Sequence, residues 1–307
     1  MRYRRLPHTE LTFSEIGLPV SELTTRLPAL SPGDAGRLLQ SGFDLGITYF
    51  DTSDVEGRGE GESLLANALG RQRGSVVVGA KGGYDWSTPK YRPPASDDGK
   101  MAQDWSPAFI RKACEASLRR LRTDYIDLYT LHHPDMKALE RDELFDTLAT
   151  LRKEGKIRYF GVTLGMEWRE EGEISLRERK VVAVQTAYSI LRQKPARLLF
   201  PLAAKQECGI IAQGPLEGGL LEEHFSGKPG QDPRLQELAF LDRHGIPLAH
   251  GAIRFALADP SVVSAVTPTT NEEQLARCAA AADLPPLSDA DVQQLQDLYA
   301  AGFGVGR

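Results

Sequence analysis

Three side chains in the first half of the chain, Asp51, Lys81 and His132, have the types that acid–base chemistry requires, and each lies at the end of an apolar run. Taken singly, Asp51 is also typical of a helix cap and His132 of a core histidine. Alternation along a strand should place His132 and His133 on opposite faces. A lysine directly after a charge-free apolar run is placed to be partly buried, where its charge needs a carboxylate partner. Asp51 is the natural partner of Lys81. Together the three groups indicate a site that moves protons.

The segment that begins at Asp51 resembles a known catalytic motif. Residues 51–57, with the sequence DTSDVEG, are similar to the Asp-Thr-Ala-x-x-Tyr-Gly segment of the aldo-keto reductases. The Leu-His pair with a following Pro-Asp at residues 131–135 matches that family in register, as does a Gly-Lys-Ile-Arg turn further along. The resemblance spans nearly the whole chain. It implies a nicotinamide-dependent oxidoreductase in which Asp51, Lys81 and His132 are three of the four catalytic residues.

In this resemblance Glu56 stands at the position of the fourth catalytic residue, a tyrosine that protonates the substrate carbonyl. Two interpretations of this glutamate remain open. A glutamate on a glycine-rich loop is ordinarily solvated, and Glu60 follows on the same loop. If the family geometry holds, Glu56 instead lies near Lys81, whose charge lowers the pKa of the carboxylate and keeps it ionised at neutral pH. An ionised Glu56 is a base, in which case His132 is the alternative acid.

The resemblance further implies that the site binds NADP or NAD, with contacts at the ends of the later strands. The residues that match these contacts are Thr163, Gln185, Gln213, Pro215, Leu216, Thr270, Asn271 and Gln274. Two positions depart from the family pattern. Leu164 replaces an asparagine that holds the nicotinamide amide, and Gln213 replaces a tyrosine that stacks on the ring. These departures weaken the expected contacts with nicotinamide.

The segment after the last apolar run bears on the choice of nucleotide. Thr270 or Asn271 can cap a helix whose free amides favour a phosphate group, and a plain capping box from Thr270 to Glu273 is the alternative. Family members that prefer NADP commonly carry a basic residue here, whereas none precedes Arg277 in this segment. We therefore predict weak discrimination between NADP and NAD.

The elements that must position these residues follow from an alternation of short apolar runs with amphipathic stretches. We predict strands at residues 15–18, 47–50, 75–80, 125–131, 157–162, 181–185, 209–213 and 262–266. We predict helices at residues 33–45, 60–69, 107–121, 140–154, 196–208, 247–258 and 271–282. This succession favours an α/β fold, a (β/α)8 TIM barrel formed by one domain over residues 1–307. A hairpin of residues 3–6 and 11–14 should plug its bottom, and residues 288–300 should form an extra helix.

The long segment at residues 82–105 carries several aromatic side chains. Loops over a barrel mouth carry specificity. Aromatic residues beside charged ones suit a polar ring such as a sugar, and we assign Trp86 to the substrate on this ground. The alternative is that these aromatic residues only pack the loop down.

Composition excludes several classes of function. The 307 residues are 41% hydrophobic and 26% charged, as in an ordinary globular protein. A net charge of -5 with scattered basic residues disfavours nucleic acid as a partner. The basic N-terminus has no apolar stretch behind it, so we expect no signal peptide, no membrane contact and a cytoplasmic location. Cys114, Cys208 and Cys278 are far apart, so we expect inert thiols and no metal site.

Three functions are compatible with these residues. The first is a nicotinamide-dependent oxidoreductase with an altered proton-transfer site, acting on a hydroxyl or carbonyl of a small polar, sugar-like molecule. The second is a redox-neutral epimerase or lyase that uses Glu56 as a base. The third is a non-catalytic protein that binds nicotinamide nucleotides. Retention of Lys81 and His132 favours an enzyme, because a dead site has little reason to keep them.

Overall fold

The computed structural model describes residues 1–25, 30–86, 102–165, 168–222 and 232–304 of the chain. The strands in this part are β1 (Tyr3–Arg5), β2 (Thr12–Ser14), β3 (Ile16–Pro19), β4 (Tyr49–Asp51), β5 (Val77–Gly82), β6 (Ile126–His132), β7 (Ile157–Thr163), β8 (Ala183–Ala187), β9 (Gly209–Gln213) and β10 (Val262–Val266).

The α-helices alternate with these strands. They are α1 (Glu22–Thr25), α2 (Pro32–Asp44), α3 (Glu60–Leu69), α4 (Pro107–Leu121), α5 (Met136–Leu139), α6 (Asp142–Lys153), α7 (Trp168–Arg177), α8 (Lys194–Lys205), α9 (Pro233–Glu237), α10 (Phe240–Arg243), α11 (Leu248–Ala256), α12 (Glu272–Ala281) and α13 (Asp289–Ala300). Short 3-10 helices occupy Glu56–Gly59, Gly70–Ser75, Glu217–Gly219 and Gly302–Gly304.

Strands β3 to β10 close into a barrel in the order β10-β3-β4-β5-β6-β7-β8-β9. Every neighbouring pair in the barrel is parallel. The helices bury their apolar stripes against the outside of the strands; in α6 the stripe consists of Leu144, Leu148 and Leu151, each 0% exposed. The predicted (β/α)8 barrel is therefore confirmed.

The parallel register brings the candidate catalytic side chains to one end of the barrel. Asp51 is the last residue of β4, Lys81 lies near the end of β5, and His132 is the last residue of β6. Thr163 ends β7 and pairs with His132 on one side and Gln185 on the other. Enzymes built on (β/α)8 barrels carry their active sites at the carboxyl ends of the strands.

Several element boundaries differ from the predictions. The strand predicted at residues 47–50 is β4, which begins later and includes Asp51. The helix predicted at residues 140–154 is α6, which begins two residues later because Arg141, with a φ of -83 and a ψ of 107, is extended. The short helix α5 precedes it and was not predicted. No helix was predicted at α7. Helical periodicity identifies the apolar stripe of a helix but not a local break in its backbone.

The two N-terminal strands form the predicted hairpin, with Tyr3 opposite Ser14. Leu6, just after β1, and Phe13, within β2, are each 0% exposed. The ring of Phe13 packs on that of Tyr49, with the centroids 4.6 Å apart. Because Tyr49 is the first residue of β4, this contact lies at the amino-terminal end of the barrel. The hairpin therefore closes the barrel bottom, as predicted.

The predicted extra helix is present as α13. Ser288 caps α13 by accepting a hydrogen bond from the amide of Asp291, and Leu295 on the inner face of this helix is 0% exposed. Across the described ranges, none of the helices combines the length and the apolar character that a membrane crossing needs.

Candidate active site

Asp51 and Lys81 form a buried ion pair at the mouth of the barrel, as predicted. Each residue is 4% exposed. Lys81 Nζ also donates a hydrogen bond to the carbonyl oxygen of Thr52 at 3.2 Å. The Asp51 carboxylate accepts two further hydrogen bonds, from the Tyr49 hydroxyl at 3.1 Å and from Gln185 Nε2 at 3.0 Å. The pair is neutral as a whole and its carboxylate is well hydrogen-bonded, as buried charges require.

A chain of hydrogen bonds continues from Gln185 along the ends of the neighbouring strands. Thr163 Oγ1 donates to Gln185 Oε1 at 2.9 Å and lies 3.0 Å from Thr130 Oγ1. Thr163 and Gln185 are each 0% exposed. These contacts fix the orientation of the Gln185 amide, with its nitrogen toward Asp51. The two predicted cofactor contacts thus lie in the floor of the mouth and are connected to the ion pair.

His132 is buried against polar aromatic neighbours. Its ring meets that of Tyr84 edge to face, with centroids 5.1 Å apart, and its Nδ1 lies 3.4 Å from the Ser53 hydroxyl. Burial, the adjacent His133 and the charge of Lys81 hold the pKa of His132 well below its usual 6.5. His132 is therefore a neutral imidazole at neutral pH and cannot serve as an imidazolium acid.

Strand alternation predicts that His132 and His133 point to opposite faces, but the structure places their rings side by side. The centroids of the His132 and His133 rings are 4.5 Å apart, and Tyr84 reaches His133 Nδ1 with its hydroxyl at 3.1 Å. The reason is local, since β6 ends at His132 and His133 has a φ of 55. Alternation of side chains applies only while the backbone stays extended.

Glu56 lies beside this cluster, half-buried, at the start of the 3-10 helix Glu56–Gly59. Lys81 does lower the pKa of Glu56, as predicted, but the predicted net shift is wrong in sign. Burial, together with the charge of Asp51, raises the pKa of Glu56 above 4.5 against the opposing effect of Lys81. Because Lys81 is already paired with Asp51, the two charges largely cancel at Glu56 and burial decides the sign. Glu56 is thus shifted toward its protonated form.

The loop after Glu56 turns sharply through left-handed backbone. Gly57, Arg58 and Gly59 have φ values of 59, 52 and 80. Glycine adopts this conformation without strain, which is the physical reason for the glycine-rich sequence. The turn leads directly into α3, so Glu56 is held between the end of β4 and the start of a helix.

Two clefts follow the ends of β9 and β10, where the cofactor contacts are predicted. The first has a volume of about 430 Å³ and is lined in part by Gln213 and Gly214. The second has a volume of about 120 Å³ and is lined in part by Leu216 and Gln274. Pro215 is buried in the segment that separates them. The predicted contacts therefore share one side of the barrel mouth.

Helix α12 begins with a reciprocal cap. Asn271 Oδ1 accepts a hydrogen bond from the Gln274 amide at 2.8 Å, and Gln274 Oε1 accepts one from the Thr270 amide at 2.8 Å. This corrects the predicted box from Thr270 to Glu273, because Asn271 is the residue with extended N-cap geometry. Next to the cap, Thr269 Oγ1 is buried and has no hydrogen-bond partner in the described part of the chain. An unpaired hydroxyl near a helix N-terminus fits a phosphate oxygen.

Trp86, assigned to the substrate from the sequence, packs toward α4. Its ring lies 5.8 Å from the Arg120 guanidinium, and with Asp54 it lines a cleft of about 150 Å³. This arrangement favours the alternative in which the aromatic residues pack the loop down. Tyr91 and the charged residues of the same loop that would accompany a polar ring, Lys90, Arg92, Asp97 and Asp98, lie outside the described residues.

Two tyrosines join the site although the sequence did not single out a role for either. Tyr49 donates to Asp51, and Tyr84 contacts both histidines. Tyr49 has a signal that could have identified it, because residues two apart in a strand point to the same face. Tyr84 shows no comparable pattern beyond its place in the loop after β5.

Comparisons with known proteins cover nearly the whole chain. The aldo/keto reductase family matches residues 16–300. The oxidoreductase YqkF of Bacillus subtilis is 29% identical over 98% of this chain and 99% of its own length. D-threo-aldose 1-dehydrogenase of a Pseudomonas species is 26% identical over 90% and 92%. The solved holo form of the aldo-keto reductase AKR11C1 from Bacillus halodurans is 28% identical with a TM-score of 0.84, covering 97% of this chain and 96% of that one. The chain therefore belongs to the aldo/keto reductase family and is an oxidoreductase.

Proposed function

We propose that this protein transfers hydride between a nicotinamide dinucleotide and a carbonyl or hydroxyl group of a small polar molecule, with Glu56 as the proton-transfer group. The observation that supports this most is the closeness of Glu56 to the buried pair of Asp51 and Lys81, both of which act on it electrostatically. A carboxyl group beside such a pair has the environment in which general acids are tuned.

Glu56 supplies the proton when a carbonyl is reduced. Burial favours its protonated form, which is the form that donates a proton to a developing alkoxide. The carboxylate that remains lies near Lys81, whose charge stabilises it. In the direction of oxidation the same carboxylate removes the proton of the hydroxyl. A single residue thus serves both directions, as microscopic reversibility requires.

His132 orients the substrate oxygen. Its imidazole is neutral because burial lowers its pKa, and a neutral imidazole donates one hydrogen bond from a ring nitrogen. The Ser53 hydroxyl lies against Nδ1, so we assign the contact with the substrate oxygen to Nε2. His132 is then a donor of a hydrogen bond rather than of a proton.

A bound nicotinamide supplies hydride in one direction and accepts it in the other. The unpaired, buried hydroxyl of Thr269 supports the fit of a dinucleotide phosphate at the mouth. Thr163 and Gln185 are suited to hold the carboxamide of the nicotinamide. The residues that we assign to the rest of the dinucleotide are Gln213, Pro215, Leu216, Thr270, Asn271 and Gln274.

The surroundings of Gln274 argue against a strong preference for NADP. Gln274 Nε2 donates to the carboxylate of Glu222 at 2.5 Å, and the guanidinium of Arg277 is paired with Glu273 at 2.7 Å. A 2′-phosphate at this end of the cleft meets carboxylates and a cation that is already paired. We propose that the protein accepts NAD as well as NADP.

The side chains at the mouth suit a polar substrate. Tyr84, His132 and His133 give it hydroxyl and imidazole groups. One relative is a D-threo-aldose dehydrogenase by name, which supports a polyhydroxylated substrate class for this chain. Because that relative is named as a dehydrogenase, it also favours hydride transfer over the redox-neutral alternative.

The test is steady-state turnover of a panel of aldehydes, aldoses and polyols with both nucleotides, in wild type and in Glu56→Gln. We expect the substitution to lower turnover by about 10²–10⁴-fold, the usual contribution of a general acid or base. Glu60→Gln is the matched control, because Glu60 is an exposed glutamate at the start of α3, directly after the same loop. If Glu56→Gln retains as much activity as Glu60→Gln, Glu56 does not transfer the proton.

A further inference from the structure

A second group of buried ionisable side chains lies next to the loop that carries Glu56 and takes no part in the proposed chemistry. Asp54 is 2% exposed and Glu62 is 0% exposed. Arg120, at the end of α4, donates from Nε to Glu62 and from Nη2 to the Ser117 hydroxyl at 3.2 Å. The charges of Glu62 and Arg120 both act on Asp54.

This cluster has one carboxyl group more than Arg120 neutralises. Asp54 Oδ1 and Glu62 Oε1 are both buried without a hydrogen-bond partner in the described ranges, and so is the hydroxyl of Tyr129. Two ionised carboxylates would leave a net negative charge out of water beside unpaired oxygens, which is costly. Burial and the charge of Glu62 accordingly raise the pKa of Asp54 to about 8. Protonated Asp54 is neutral and gains a donor.

Arg120 is also packed against the backbone of the Glu56 loop. A Cβ atom added at Gly59, where φ is +80, would lie 2.3 Å from Arg120 Nε. Asp54 precedes Glu56 on the same segment, and Glu62 lies in the first turn of α3 directly after it. The cluster therefore contacts the loop before, beside and after Glu56.

We infer that Arg120 is a positioning residue that holds the segment from Asp54 to Gly59, and with it Glu56, only while Asp54 keeps its proton. Loss of that proton to solvent leaves the buried cluster with an unbalanced negative charge, and the segment moves outward to hydrate it. The inference rests on the proposed function only in the role of Glu56. The coupling between the Asp54 proton and the loop is independent of that role.

The groups that face Asp54 from the neighbouring elements are Tyr84, Asp85 and Trp86 from the loop after β5, Glu62 from α3, Lys112 and Arg120 from α4, and Tyr129 from β6. Burial raises the pKa values of Tyr84 and Tyr129 above their usual 10.0, so neither loses a proton near neutral pH. Burial raises the pKa of Glu62 as well, but Arg120 opposes this. Because Arg120 is bonded to Glu62, we assign the labile proton to Asp54.

Tryptophan fluorescence tests the titration without any substrate. Trp86 interacts with both Asp54 and Arg120, so the wild type should show a transition with a midpoint near the pKa of Asp54, about 8. The transition should vanish in Asp54→Asn and in Trp86→Phe. It should persist in Asp85→Asn, the matched control, because Asp85 lines the same cleft. A transition that survives Asp54→Asn contradicts the inference.

Hydrogen exchange tests the movement of the loop. At about pH 9, above the Asp54 transition, amides of residues 54–64 should exchange at least about threefold faster in wild type than in Asp54→Asn, whereas at about pH 6.5 the two should match. Comparison at one pH removes the intrinsic pH dependence of exchange. Arg120→Met should show fast exchange at both pH values and Arg120→Lys should restore part of the protection. Equal exchange of wild type and Asp54→Asn at the higher pH overturns the inference.

Activity then separates this inference from the proposed function. Turnover by the wild type should fall about tenfold per pH unit above the Asp54 transition, whereas Asp54→Asn should keep the neutral-pH rate and lack this step. If the fluorescence and exchange changes occur but turnover does not depend on Glu56, the proposed function is refuted and the positioning role of Arg120 stands. If turnover depends on Glu56 but falls in the same way at alkaline pH in wild type and in Asp54→Asn, the positioning role of Arg120 is refuted and the proposed function stands.

Discussion

Replacement of Lys81 by methionine tests the energetics of the buried ion pair. Methionine has a similar length and leaves little cavity, so the main effect is an uncompensated Asp51 carboxylate. Removing one partner of a buried pair costs about 3–5 kcal/mol. Asp51 keeps the hydrogen bonds from Tyr49 and Gln185, and each such bond to a charged group stabilises by about 1.5–3 kcal/mol. We therefore expect the loss near the lower end, about 3 kcal/mol.

The double substitution Asp51→Asn with Lys81→Met removes both charges. Because no unpaired charge remains, we expect it to recover at least about 2 kcal/mol relative to Lys81→Met, a coupling typical of contacting buried groups. Lys156→Met is the matched control, because Lys156 pairs with Glu115 and Glu154 on a side chain that is 31% exposed. A surface pair of this kind contributes about 0–1 kcal/mol.

Urea unfolding followed by circular dichroism gives the free energy of unfolding of each variant, provided that the slopes agree. The reasoning is refuted if Lys81→Met loses no more stability than Lys156→Met. It is refuted equally if the double variant is no more stable than Lys81→Met, because burial of an unpaired charge would then not be the cause of the loss.

Three further predictions concern Glu56 and the nucleotide. The folded-state pKa of Glu56 lies above its usual 4.5, so the free energy of unfolding of the wild type falls as pH rises through that folded-state pKa. In urea unfolding, Glu56→Gln should therefore be more stable than wild type at about pH 8 and equally stable near pH 4. Glu56→Tyr should create or raise reduction of generic aldehydes, because it introduces a phenol of pKa about 10, the kind of acid expected at this position from the family pattern. If this variant binds nucleotide but reduces no aldehyde, the cause of the inactivity lies at Gln213 and Leu164 instead. Calorimetric titration should give affinities for NAD and NADP within a hundredfold, or about 2.7 kcal/mol, and a larger preference for NADP would contradict the assignment of Glu222 and Glu273 to that end of the cleft.

The barrel was predictable because its strands are buried on both faces. Such strands read as short, continuous apolar runs between amphipathic stretches, and the runs at residues 209–213 and 262–266 coincide with β9 and β10. The start of α6 after Arg141, rather than at residue 140, was not predictable in this way. It depends on the backbone of Arg141, which leaves the apolar stripe of the predicted helix unchanged.

The ion pair was predictable and the histidine arrangement was not. A lysine that closes an apolar run needs a carboxylate, and the register of a parallel barrel leaves Asp51 beside Lys81. The position of His133 depends instead on its left-handed φ of 55. Side chains alternate between faces only where the backbone is extended, so the face predicted for the His133 ring was wrong.

The sign of the Glu56 pKa shift depends on the pairing of Lys81 with Asp51. Lys81 was expected both to neutralise Asp51 and to keep Glu56 ionised, although one cation cannot do both in full. A cation paired with a carboxylate acts on a third group mainly as a dipole, so its effect falls off faster with distance than that of a free charge. The desolvation of Glu56 then outweighs it. The pKa of Glu56 thus stays above its usual value, because Asp51 holds the cation that would otherwise lower it.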